Sequence, residues 1–132
     1  MKKTVLFLLG AVATFSMSAQ VQLLKDAEKA MKSGKDYVVV YEMVKPAMSN
    51  SETANDVLTY YIPGKAGFNQ FDKMIIPRQL GKDNVDVVAM ANALLGGYDN
   101  FIKALPLDAV VDAKGKVKTK YTKEMHKAIA DH

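Results

Sequence analysis

The chain has no cysteine, no tryptophan, a single arginine (Arg78), four prolines and, past Phe15, no long apolar run. Each absence excludes something. Without Cys there is no disulfide framework, no thiol nucleophile, no thiolate-held zinc or iron–sulfur cluster and no lipidated N-terminal Cys. With Arg78 alone, the positive charge is carried by Lys, and a forked guanidinium surface for phosphate or guanine is missing. Gly64-Lys65 and Gly81-Lys82 lack the other parts of a phosphate-binding loop. No Ser-His-Asp order or carboxylate pair stands out, so the sequence offers no catalytic residue and no cofactor pattern. His126 and His132 lie six apart, whereas a metal site on one helical face wants ligands three or four apart and usually three of them; no metal is expected.

What remains is the composition of one globular domain: 132 residues, 49% hydrophobic and 24% charged, enough to bury a single core. Met1-Lys2-Lys3, the apolar stretch Thr4 to Phe15 and the small residues Ser16-Met17-Ser18-Ala19 follow the three-part grammar of a secretory signal. The apolar stretch is too short for a spanning helix, which needs about 20 residues. Cleavage is expected after Ala19, or one residue earlier after Ser18, dividing the chain into a signal at 1–19 and a domain at 20–132. Lys2 and Lys3 leave with the signal, so eighteen bases become sixteen against fourteen acids. That small excess is not the footprint of a nucleic-acid binder. With no second spanning run, the mature protein is expected to be secreted or periplasmic and to have no transmembrane segment.

Periodicity predicts helices. Leu23, Leu24, Ala27, Ala30 and Met31 form one stripe that Gly34 ends as a left-handed cap. Asp36 is placed to cap a second helix over Tyr37 to Met48, with Tyr37, Tyr41, Val44, Ala47 and Met48 on one side. Val38-Val39-Val40 favour a strand locally, but a lone strand would have no partner, so helix is expected. Ser51 or Thr53 can cap a third helix running to about Ile76, with a bend at Pro63-Gly64 and a stop at Pro77. Asp83 or Asn84 can cap a fourth, Val85 to Leu105, which carries Val88, Ala91, Leu94, Leu95, Tyr98, Phe101 and Ile102. Its Gly96 and Gly97 allow close helix approach. Val110 to Lys120 reads either as a small hairpin or as an ordered loop, and Thr122 caps a short last helix with no stop signal.

Two helix pairs of similar layout suggest an internal repeat. Gly34-Lys35-Asp36-Tyr37 followed by Val40, Val44 and Ala47 resembles the turn and second helix of a tetratricopeptide repeat. Gly97, Phe101 and Ala104, with the ending Lys103-Ala104-Leu105-Pro106-Leu107-Asp108, resemble that second helix again; Tyr60 and Gly64 resemble the aromatic and the close-packing Gly of a first helix. Ala47 and Ala104 lie fifty-seven residues apart, where the family repeats about every 34, which implies longer helices. The run from Glu52 through Tyr60-Tyr61-Ile62-Pro63-Gly64 to Gly115-Lys116-Val117-Lys118 is similar to the N-terminal part of longer secreted bacterial tetratricopeptide-repeat proteins. The resemblance implies an all-α fold of helix-turn-helix pairs forming a short α-solenoid, a role in holding other proteins rather than in catalysis, and a truncated relative.

In such a repeat the first helices line the concave surface. If Gly64 faces its partner helix, then Leu58, Tyr61, Lys65, Phe68 and Asn69 point toward a groove for a protein or peptide partner, Tyr and Phe being favoured interface anchors; alternatively Tyr61 and Phe68 are core. The family's carboxylate-clamping Lys and Asn pattern is not reproduced. A reading from a different class uses Lys114, Lys116, Lys118, Lys120 and Lys123 as a site for anionic polymer or lipid in the cell envelope. Salt separates the two, because Lys-borne binding weakens steeply with ionic strength and an apolar groove is nearly indifferent.

Overall fold

A computed structural model describes residues 19–82 and 84–132. The secretory segment read in the sequence lies, except for Ala19, outside the described residues. Over the described residues the fold is all-α, with five helices and one small hairpin: α1 (19–32), α2 (Tyr37–Met48), α3 (Val57–Gln79), α4 (Val87–Ala104), a 3-10 turn (Leu105–Leu107), strands β1 (Val110–Val111) and β2 (Val117–Lys118), and α5 (Thr122–Asp131). The region left open between hairpin and loop is a hairpin: β1 and β2 pair antiparallel, Val110 opposite Lys118 and Val111 opposite Val117. Asp112 Oδ1 accepts from the Lys114 and Lys116 amides across its turn.

Glycine ends α1 as its position predicts. Gly34 sits at φ 85°, its amide reaches the Met31 carbonyl, and the next amide, of Lys35, reaches back to Ala30. This pair of bonds satisfies two carbonyls that the helix end would otherwise strand. The same device ends α3 at Gly81 (φ 77°), with Gly81 bonded to Arg78 and Lys82 to Pro77. Pro77 therefore does not stop α3: it costs one amide inside the last turn, and the helix runs on to Gln79.

The N-termini correct the sequence reading four times. Asp36 stands at the N-cap of α2, but its side chain makes no capping hydrogen bond. Asp56, not Ser51 or Thr53, caps α3 by accepting from the Leu58 amide. The buried Thr53 hydroxyl instead turns back to the Ala47 carbonyl at the end of α2. Asp86 caps α4 through the Ala89 amide, so that helix begins at Val87 rather than Val85 and closes at Ala104. The Thr122 side chain does not cap α5 on its own account: Asp108, fourteen residues upstream, performs that task.

In α2 the three valines are helical, and Val40, Val44 and Ala47 are fully buried, with Val40 rather than Tyr41 on the inward line. Burying a Val contributes about 1.5–3 kcal/mol, whereas its helix-propensity deficit is at most about 0.7 kcal/mol, so packing overrides the local preference for a strand. Helix α3 is the axis of the molecule. From Tyr61 to Gly64 and from Ala66 to Phe68 every residue is buried, because other helices surround it. It runs antiparallel to α4, with Gly64 against Phe101 and Gly67 against Ala93 and Gly97. It is also antiparallel to α2, the Tyr37 amide donating to Gln70 Oε1, and parallel to α1, Asn69 lying on Met31. The core joins Leu24, Ala27 and Met31 of α1 to Ile62, Ala66, Phe101, Ala104 and Met125.

Candidate functional site

Gly64 does face its partner helix: a Cβ there would run into the Phe101 ring. The five positions expected to line a groove are nevertheless divided between two neighbours. Leu58 and Asn69 look toward α1. Leu58 lines a pocket of about 120 Å³ with Val21, Leu24, Lys25, Glu28 and Asp56, and the Asn69 amide lies 3.9 Å from Met31 Sδ. Tyr61, Lys65 and Phe68 look toward α5. Tyr61 and Phe68 are buried core residues that present no open surface, because α3 is covered on that side as well.

The cover is specific. Tyr61 lies between two rings, Phe101 at 5.8 Å and Tyr121 at 4.3 Å between centroids. Its hydroxyl donates to Glu124 Oε2 (2.5 Å); Lys65 Nζ donates to Glu124 Oε1 (2.7 Å) and to the Tyr61 oxygen (3.2 Å). About two helical turns further along, the His132 ring packs tilted by 38° on Phe68 at 4.5 Å between centroids, and its Nε2 meets Asp72 Oδ1 at 2.6 Å. Tyr121, Glu124 and His132 thus engage three of the residues read as partner-facing or their immediate neighbours. The sequence contains a signal for this: Tyr121, Met125 and Ala128 fall on one helical stripe with Glu124 at its edge. It does not contain the stripe's target.

The clasp is electrostatically consistent. Burial pushes the Tyr61 phenol up from its ordinary value, and the neighbouring Glu124 carboxylate pushes it further, so it stays a neutral donor. Burial also acts to raise Glu124, but hydrogen bonds from Lys65 and Tyr61 and the Lys65 charge outweigh it and hold the carboxyl below the usual glutamate value. Folding therefore favours ionised Glu124. Its contribution is present above the unfolded-state pKa, about 4.3, and is lost as pH falls through the lower folded-state value. Acid titration of stability, followed by circular dichroism, should show a decline on that side of neutrality that is shallower in Glu124→Gln, with the two proteins converging at the acid end.

At the start of α5, the buried Asp108 Oδ2 accepts the amides of Lys120 (3.0 Å), Tyr121 (2.7 Å) and Thr122 (2.7 Å) and the Thr122 hydroxyl (2.8 Å). A carboxylate at a helix N-terminus satisfies unpaired amides and complements the helix dipole. Nothing in the local pattern around Thr122 announces it.

All five lysines of the alternative anion site are exposed. Lys118 lies 3.9 Å from Asp112 Oδ2, and Lys120 Nζ sits 5.3 Å from the centre of the Tyr121 ring. Lys118 and Lys120 also border a pocket of about 260 Å³ whose remaining wall includes Val57, Leu107, Val110 and Tyr121. His126 points to solvent.

A surface the sequence did not single out lies on α4. Its apolar residues split between two sides: Ala93, Phe101 and Ala104 face α3, while Val88, Leu95 and Ile102 are 70%, 60% and 60% exposed. Seven-residue spacing on a helix returns nearly to the same direction, so these three form one outward stripe. Among the described residues no helix is long and apolar enough to cross a membrane. Compared with protein families, with curated proteins and with solved structures, the chain matches none of them.

Proposed function

We propose that the protein is an exported, non-enzymatic helical scaffold of tetratricopeptide-like organisation that mediates protein–protein contact. The observation that carries this reading is the outward stripe of Val88, Leu95 and Ile102 on α4. Apolar side chains aligned along one exposed helix face are the pattern by which helix pairs stack or receive a partner. Export rests on the signal grammar of the first nineteen residues. A second reading, binding of anionic polymer or lipid in the envelope, is supported by the uniform exposure of Lys114, Lys116, Lys118, Lys120 and Lys123.

One experiment separates them. A photo-crosslinking residue is placed at 95, at 118 or, as a reference on an exposed polar face, at 32 of the full chain in an expressing bacterium. The scaffold reading expects a discrete protein adduct from 95 that survives high salt and is absent from 32. Adducts or envelope association arising from 118 alone, and fading as salt rises, would replace it with the anionic reading.

A further inference from the structure

We propose that the face of α3 and α4 beneath α5 is a binding site for an amphipathic helix, and that α5 is its intramolecular occupant, a strap that lifts when a partner helix of the same chemistry enters. The α5 segment is ten residues long, below the length at which an isolated helix holds together in water, so its order comes from the surface on which it lies. Its attachment combines one core anchor with polar contacts: Met125 enters the core, Tyr121, Ala128 and Ile129 pack half-buried against it, and the remaining contacts are polar or aromatic. Within α5 only Met125 is buried; beside it a carboxylate meets a lysine and a phenol, and at the far end a histidine meets a carboxylate across an aromatic ring. The tether supplies no core of its own, since both residues of each hairpin strand are exposed. Asp108 grips the first turn of α5 and can act as the pivot.

These contacts specify the occupant. Lys65, a cation set in a half-buried position, selects a carboxylate; the slot under Met125 selects a long apolar side chain at the next position; and the direction of α5 sets the incoming helix parallel to α3. This is helix-in-groove recognition with an aromatic anchor, here satisfied from within the chain. The tether holds the self-ligand at high effective concentration, so a free competitor is weakened by the fraction of time the strap is closed. The proposal rests on the scaffold reading only for its purpose, and its test does not use the α4 stripe.

The probe is a fluorescent synthetic peptide of residues 119–132, titrated against the full chain and against Met125→Asp, whose own α5 can no longer seat. The expected result is saturable one-to-one binding to Met125→Asp, binding to the unaltered chain weaker by about tenfold or more, and none by a peptide carrying Glu124→Lys and Met125→Asp. Met125→Asp that keeps its helical spectrum and cooperative melt yet ignores the peptide would overturn the proposal. Amide hydrogen exchange on the unaltered chain gives a second, independent reading. Residues 123–131 are expected to exchange through a local opening while Tyr61 to Phe68 stay protected. If α5 exchanges only when α3 does, as it would were it an inseparable part of the core, the strap does not exist. Failure here would leave the crosslink at position 95 untouched, and failure there would leave peptide binding untouched.

Discussion

Gly67→Ala is expected to destabilise the fold by about 3 kcal/mol, the upper end of the cost of overpacking a core, and to lower the melting midpoint by about 10 °C. Helix propensity argues the other way, since Ala is favoured over Gly inside a helix by about 1 kcal/mol. The packing decides the sign. A Cβ at Gly67 would strike the Ala93 carbonyl oxygen and stand 2.7 Å from the Gly97 amide nitrogen. Both are backbone atoms in the middle of α4, so neither can rotate aside; α3 and α4 must move apart along the axis of the molecule. Gly115→Ala is the control that isolates conformation from space. Gly115 is left-handed (φ 78°) with nothing within 4 Å of a new Cβ, and its cost should be confined to about 1 kcal/mol of backbone strain. Thermal and denaturant unfolding of both variants by circular dichroism gives the comparison. Equal costs would mean that the helix pair tolerates separation and that the close approach carries little of the stability.

The second large effect is expected at Asp108. Asp108→Ala removes the one oxygen that accepts three amides and a hydroxyl at the head of α5. A charged hydrogen bond contributes about 1.5–3 kcal/mol and a side-chain cap about 1 kcal/mol. Water can reach part of this turn once the carboxylate is gone, which places the expected loss at about 2–4 kcal/mol rather than the sum of four bonds. Asp108→Asn, which keeps an acceptor but not the charge, should lose about half as much. The location of the loss is as telling as its size. Hydrogen exchange should show protection falling first at residues 120–122 and through α5, with the α3–α4 pair retained. A uniform loss across the molecule would mean that Asp108 supports the core and not the last helix alone.

The first helix and its stop were legible because their causes are local: an apolar stripe at three- and four-residue spacing, and a glycine at the one position that needs a left-handed backbone. The close-packing role of Gly96 and Gly97 was legible for the same reason, a stretch of small residues inside a helical period. The caps were harder. Ser51, Thr53, Asp83 and Asn84 compete with Asp56 and Asp86 as caps because several polar residues in each turn can serve, and only the angle at which α3 and α4 enter the core selects among them. Val38 to Val40 show the opposite case, a local strand preference that burial of Val40 and Val44 reverses.

The sequence by itself determined the helical class of the chain, the glycine stop of its first helix, and which side chains were candidates for a surface; the third helix, predicted to stop at Pro77, is ended by Gly81 instead. Tertiary structure alone decided which candidates are covered. Tyr61 and Phe68 carry the chemistry of interface anchors, but they became core because α5 folds back over them. Val88, Leu95 and Ile102 were indistinguishable from core residues in the sequence, and they became surface because nothing among the described residues packs against that side of α4. The first outcome depends on contacts between residues about sixty positions apart, such as Tyr61 with Glu124 and Asp72 with His132, and the second on the absence of any such contact among the described residues. Periodicity reports which face of a helix is apolar, not what the chain later brings to lie on it.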